Sequence, residues 1–445
     1  MHGSPHPTAF RMSPQLIGGI GVCGLFSLLI IRMPVWAALM LVAFLGNVAL
    51  IGVRAALATL GTIPFDTASL YGLSVIPLFI LTGSIASGTG LSAELFKAAR
   101  VILSGVRGGL SLATIGASAC FGAVCGSSIA TAATMTRIAL REMRAAGYGD
   151  ALSTGSIAAG GSLGILFPPS IILVIYGAIA EQSVPKLFAA GLIPGLVLTA
   201  LYMIVALVVA RIRPRDAPAV ESAKIRHRLS ALTGPWQFLA LFVATIGGIY
   251  AGIFSPTEAA SIGAFGAILL GVAGRALTTR ELVSSMESAV ITSSMLFMII
   301  IGANLFSNFM VQTQLPALLA NTASSFALPR MMVMVAIIVA YVIMGCFLEG
   351  IGMMLITVPV FLPLIRQYGY DPIWFSIIVV IVIEVGLIHP PVGMNLFVIQ
   401  AQAPEIRITN IYRGIVPFLA APLLMIILMF LFPQLALWLP QTLYR

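Results

Sequence analysis

Gly164-Ile165-Leu166-Phe167-Pro168-Pro169 has a counterpart in Gly386-Leu387-Ile388-His389-Pro390-Pro391. Each is a glycine, three residues and a proline pair, set inside a long apolar run. The two glycines lie 222 residues apart, half of a 445-residue chain. Proline removes a backbone donor and clashes with the preceding helical turn, so neither run can be one continuous helix. Backbone groups freed at membrane depth are tolerated only where they are buried in protein or line a watery cavity. Interrupted helices at matching places in two halves point to the binding site of a secondary transporter.

That reading requires a membrane protein, and the composition demands one. Sixty per cent of the residues are hydrophobic and 8% are charged, against about 25% charged in soluble domains. The length allows roughly ten crossings plus loops. The start, Met1-His2-Gly3-Ser4-Pro5-His6-Pro7, lacks the basic region of a cleavable signal peptide. The four cysteines all lie in apolar stretches and form no metal-like or disulfide-like cluster. The net charge of +9 reads as topology signal rather than as a nucleic-acid surface.

Apolar runs fall near 14–31, 35–53, 73–90, 152–182, 188–210, 235–253, 258–274, 288–308, 373–402 and 414–436. Residues 108–136 and 331–365 are apolar too, but carry internal glycines or serines and are short for two crossings, which predicts re-entrant hairpins. Counting through places both termini outside, with 17 of 23 basic residues inside, including Lys97, Arg100, Arg107, Arg137, Arg141, Arg144 and the six in 211–234. The reverse orientation would invert that bias. The expected architecture is an all-α polytopic protein. Its inverted repeat has about five spans plus one re-entrant hairpin per half. Residues 1–210 form the first repeat (hairpin 108–136, broken helix 152–182) and 211–234 a basic cytoplasmic linker. Residues 235–445 form the second repeat (hairpin 331–365, broken helix 373–402). The hairpins and broken spans should move as one body against uninterrupted spans such as 14–53, 188–210, 235–274 and 414–436.

The chemistry belongs in the breaks. Gly122 to Thr131 offers glycines for a sharp turn and the hydroxyls of Ser127, Ser128 and Thr131. Hydroxyls and freed carbonyls make a neutral oxygen shell suited to Na⁺, with helix ends supplying partial charge; small residues also let membrane helices pack closely. One sodium site is expected from Ser127, Ser128, Gly161, Ser162 and Gly164. A second is expected from Asn304, Gly350, Met353, His389 and Pro390. Substrate should be lined by Ser84, Pro168, Pro169, Glu349, Pro391 and Asn395. Intramembrane Glu349 and Glu384 could hold a proton or cation, or bond to backbone or water. His389 stands alone, which disfavours a metal site. No phosphate loop, paired aspartates, HExxH or nucleophile with a base in reach suggests an enzyme. A channel or passive facilitator of the same architecture is the alternative to a transporter.

Six segments in order resemble the large membrane subunit of tripartite ATP-independent periplasmic (TRAP) transporters: Pro77–Gly83, Cys125–Ala130, Gly161–Ser170, Gly252–Ala260, Leu355–Pro359 and Pro390–Phe397. The resemblance implies an elevator-type, sodium-coupled importer of small organic anions such as carboxylates, in a bacterial inner membrane among lipid. It implies two protein partners, a small four-helix membrane subunit and a soluble periplasmic substrate-binding protein, and no organic cofactor. Glu349 is a departure, since the family commonly has the shorter Asp there.

Overall fold

The computed structural model describes residues 12–219, 222–326, 328–345 and 348–444. The fold is all-helical. The chain begins with α1 (Pro14–Ile30), α2 (Val35–Ile51) and α3 (Val53–Ala68), followed by α4 (Val75–Gly88) and α5 (Leu91–Ile102). Next come α6 (Gly109–Cys125) and α7 (Ser128–Met135), a π-helical turn at Thr136–Leu140 and α8 (Arg141–Ala145). The first proline-pair break separates α9 (Asp150–Ser162) from α10 (Ile171–Ala180). Then follow α11 (Val184–Ile212), α12 (Ile225–Ala231), α13 (Trp236–Phe242), the short α14 (Gly248–Tyr250), α15 (Pro256–Ala273) and the 35-residue α16 (Thr279–Thr313). The rest comprises α17 (Leu315–Ser325), α18 (Arg330–Gly345), α19 (Gly350–Gln367), α20 (Pro372–Ile388), α21 (Met394–Gln402), α22 (Ile408–Ile415), α23 (Ala420–Leu431) and α24 (Gln434–Leu443).

Among the described residues six helical stretches are long and apolar enough to cross a membrane: Tyr71–Gly88, Val184–Ile212, Pro256–Ala273, Thr279–Thr313, Gly350–Gln367 and Ile408–Leu431. The other apolar runs form shorter helices, among them α1, α2, α6, α18 and α20. Helix ends follow local chemistry. Ser255 and Glu258 form a reciprocal capping box at α15, with Pro256 in the first turn where its missing N–H is harmless. Asp371 accepts hydrogen bonds from Ile373 N (2.7 Å) and Trp374 N (3.3 Å) to start α20.

The chain forms two compact units, each assembled from distant stretches. The first holds the N-terminal residues through Leu70, with Met295–Met334 and Leu355–Gly369. Within it a Cβ at Gly46 would lie 2.3 Å from the Phe309 ring, so that ring needs the bare backbone of α2. The second unit holds Tyr71–Ser294, Val335–Met354 and Tyr370 onward. There α9 and α22 touch through backbone: a Cβ on Gly414 would sit 2.0 Å from Ala151 O.

Several boundaries differ from expectation. Helix α3 arises where no span was expected, because Arg54, Asp66 and three threonines dilute its apolar character. The run 288–308 is the middle of α16, which starts nine residues earlier at Thr279. The run 414–436 is divided at Phe432, between α23 and α24. Spans 188–210, 235–274 and 414–436 lie in the same compact unit as the proline-pair breaks. Helix α11 packs on α6, α9, α10 and α20, so it does not stand apart from the broken elements.

Candidate functional site

The first break is held open by backbone contacts. Helix α6 stops at Gly126, whose φ of +64° is left-handed and where a Cβ would meet Pro169 O at 2.5 Å. Ser127 then caps α7, its Oγ accepting from Ala130 N (3.3 Å), while Thr131 Oγ1 donates to Ser127 O (2.8 Å). On the partner strand of chain, α9 passes into a tight turn at Leu163–Ile165 and the irregular Phe167-Pro168-Pro169. Ser170 restarts the helix, its Oγ accepting from Leu173 N and donating to Ile165 O. The 168–169 peptide is cis. A Cβ at Gly122 would lie 2.6 Å from Gly164 Cα, and one at Gly164 would lie 2.9 Å from Ser127 O. Gly161 presses on Ala132.

The second break repeats this arrangement. Helix α18 ends at Gly345, and Gly345 and Gly386 face each other so closely that a Cβ on either would lie 3.1 Å from the other's Cα. Cys346 and Phe347, part of the expected turn, lie outside the described residues. Glu349 does at α19 what Ser127 does at α7: its carboxylate oxygens accept from Ile351 N (3.3 Å) and Gly352 N (3.2 Å). Gly350 lies against Ile383. After α20 the chain runs irregularly through His389–Gly393, again with a cis bond at 390–391, and Tyr412 OH donates to Pro391 O (2.6 Å).

Ser127, Ser128, Gly161, Gly164, Pro168 and Pro169 thus fall in one cluster where α6, α7, α9 and α10 meet. Ser162 belongs to the same helix end, but its hydroxyl donates to Ala159 O (2.9 Å) and pairs with Tyr202 OH (3.2 Å) on α11. Glu349, Gly350 and Met353 share the start of α19, and His389, Pro390 and Pro391 the break after α20. Asn304 belongs to the first compact unit and donates its amide to Thr67 Oγ1 at 2.9 Å. Asn395 is fully buried on α21, which packs against α7 and α9, and neither of its amide atoms has a hydrogen-bond partner among the described residues. Both carboxyl oxygens of Glu384, fully buried in α20, are likewise unpaired.

A cavity of about 670 Å³ opens beside the first break. It is bounded by one face of α4 (Gly83, Ser84, Ser87), the cap and one face of α7 (Ser127, Ala130, Thr134) and one face of α16 (Ser284, Ser285, Ser288), with Arg137 at the π-helical turn. Ser84 and Ser127 were expected at the site. The α16 hydroxyls and Arg137 were not. Their signal was present: positions 281, 284, 285, 288 and 292 are all polar at helical spacing.

Residues 22–435 match the family model described as the Tripartite ATP-independent periplasmic transporter, DctM component. The chain belongs to this family. It is therefore the large permease subunit of a TRAP transporter, a multi-pass membrane protein. It is 36% identical over 385 residues to the C4-dicarboxylate TRAP transporter large permease protein of Pseudomonas aeruginosa, covering 85% of this chain and 88% of that one. It is 30% identical over 372 residues to the sialic acid TRAP transporter large permease protein of Vibrio cholerae, covering 83% and 86%. The crystal structure of the YdaH transporter of Alcanivorax borkumensis shares the fold, with a TM-score of 0.64 at 15% identity over 97% of this chain and 99% of that one.

Proposed function

We propose that this TRAP large permease is the transport subunit of a sodium-coupled importer of small organic anions bearing a carboxylate. The observation that supports this most is the duplicated contact: Gly122 on Gly164 and Gly345 on Gly386, each where a helix ends beside a proline-pair break. At both places carbonyl-bearing C-terminal ends converge (α6 with α9, α18 with α20), and carbonyl ends attract cations. The N-terminal ends of α7 and α10 lie next to the first junction, and N-terminal ends attract anions. Among the described residues no three His, Cys, Asp or Glu side chains cluster closely enough to hold a metal ion. A cation here would take carbonyl and hydroxyl oxygens, which suits Na⁺ better than a transition metal. The first ion would use Ser127, Ser128 and the Gly161–Gly164 carbonyls. The second would use Gly350, Met353 and the His389–Pro390 backbone. The matched relatives' carboxylate substrates support the anion class.

In this reading the substrate arrives from a soluble periplasmic binding protein and the chain works with a small membrane subunit, as the family implies. The membrane is the bacterial inner membrane, with both termini periplasmic. The inverted repeat supplies two equivalent junctions, and transport proceeds by displacement of the body containing the breaks. The test is uptake of labelled succinate and N-acetylneuraminate by cells lacking their own carriers. Cells expressing this chain, a small subunit and a binding protein should take up one of the two only in sodium buffer. Equal uptake by the chain alone, or in potassium buffer, would overturn the proposal.

A further inference from the structure

From the cap Ser127 through α7 into the π-helical turn, one side borders the 670 Å³ cavity at Ser127, Ala130, Thr134 and Arg137. The spacing of three, four and three residues is that of one helical face. Ser127 to Arg137 spans ten residues, roughly 15 Å at the α-helical rise. Arg137 sits where the helix loosens into the π-helical turn Thr136–Leu140, a conformation rare in helices and often found at functional positions. The same side chain is also part of the wall of a second cavity of about 310 Å³, shared with Lys97, Arg100 and Arg141.

Of the other charged residues bordering the two cavities, all but Arg141 are already committed. Arg100 pairs with Glu142 at 2.5 Å, and Arg144 with Asp150 at 2.9 Å and with Glu405. Glu94 lies 3.6 Å from Lys97. Glu281, which reaches the larger cavity, accepts from Thr278 N (2.7 Å) and Thr278 Oγ1 (2.8 Å). Arg137 is exposed and has no carboxylate within salt-bridge distance among the described residues; its guanidinium donates only to Thr134 Oγ1, at 3.4 Å. An arginine fork matches a carboxylate with two parallel hydrogen bonds.

The geometry points to Arg137 as a second carboxylate-binding station on the translocation path, distinct from the junction at Ser127 and on the side that the basic residues mark as cytoplasmic. This assignment rests on the organic-anion reading above. A four-carbon dicarboxylate is too short to bridge Ser127 and Arg137, so it would occupy the two in succession. The cavity volume falls within the range of small-molecule sites. The hydroxyls of Ser87, Ser284 and Ser288 would satisfy the remaining carboxylate lone pairs.

The test uses the chain reconstituted with its small subunit in proteoliposomes. Exchange of labelled succinate and of labelled N-acetylneuraminate is followed without a sodium gradient. The variants are Arg137→Gln, Arg137→Lys and Arg141→Gln, the last at a position that borders only the smaller cavity. Arg137→Gln should raise the half-saturating concentration on the cytoplasmic face at least tenfold and leave that for sodium within twofold. Arg137→Lys should stay at least threefold weaker than wild type, and Arg141→Gln within twofold of it. Should Arg137→Gln not purify as a folded protein, Arg137→Lys is read by the same measure, together with the rise in melting temperature on adding succinate. Wild-type affinity in Arg137→Gln or Arg137→Lys, or an Arg141→Gln defect as large as that of Arg137→Gln, would overturn the station. A wild-type protein that exchanges neither carboxylate would instead overturn the transport reading beneath it.

Discussion

Replacing Gly164 with alanine tests whether the first junction is a site or only a packing contact. The new Cβ would lie 2.9 Å from both Ser127 O and Thr131 Oγ1, where ordinary contact begins near 3.4 Å. Something must move by about half an ångström. The obstructing atom is backbone, and Ser127 O already accepts from Thr131 N (3.1 Å) and Thr131 Oγ1 (2.8 Å). Overpacking of this kind costs about 1–3 kcal/mol. If the junction holds a sodium ion, the cost falls on the ion-bound state. At about 1.4 kcal/mol per tenfold, the half-saturating sodium concentration should rise roughly five- to hundredfold. Initial uptake rates across a sodium series would measure it, with melting temperature followed in parallel. Gly24→Ala is the control, because a Cβ there meets nothing within 4 Å. Gly386→Ala should act in the same direction through Gly345, at 3.1 Å. Wild-type sodium dependence in Gly164→Ala would refute the carbonyl-ligand argument.

Ser127→Ala removes the cap of an eight-residue helix and should lower stability by about 1 kcal/mol; a melting temperature equal to wild type would show the cap to be idle. Arg144 ties α8 to Asp150 and to Glu405. The Glu405 carboxyl is held below the usual range, first by its own backbone N–H and then by Arg144. A lowered carboxyl stabilises the fold above its unfolded value and loses that contribution as pH falls through the folded one. Arg144→Ala should therefore melt earlier at neutral pH. The gap should close below about pH 4 and shrink in high salt; a gap independent of both would contradict the ion-pair account. Glu384 has no hydrogen-bond partner for either oxygen among the described residues, so Glu384→Gln should melt within a degree or two of wild type or above it, since no bond is lost. A large fall in melting temperature would reveal a partner essential to the fold.

Much of the fold was legible because membrane spans are written in composition, and proline pairs in an apolar run allow no unbroken helix. The paired breaks at Pro168-Pro169 and Pro390-Pro391, and the small residues around Gly126, therefore appeared in the sequence at their proper places. Amphipathic elements were harder. Helices α3 and α5 have charges that dilute a hydropathy signal. Ser284 and Ser285 of α16 fell outside the expected run 288–308, and their polar face gains a meaning only when α4 and α7 supply the opposite walls. The direction of a hydroxyl is not a sequence property at all. Ser127 and Ser162 look equivalent in the chain, yet one caps α7 beside the cavity and the other turns to Tyr202. Glu349 was expected to line the substrate or to bond to backbone, and its carboxylate meets the first amides of α19.

The most direct measurement is accumulation against a gradient. Proteoliposomes containing this permease and its small subunit, supplied with binding protein outside, are given labelled carboxylate at equal concentrations on both sides and an inward sodium gradient. Net accumulation inside is expected, and it should collapse when potassium replaces sodium. Gly164→Ala should demand more sodium for the same level. Label that stays level across the membrane despite the sodium gradient, while crossing freely in either salt, would contradict coupling and favour a passive facilitator.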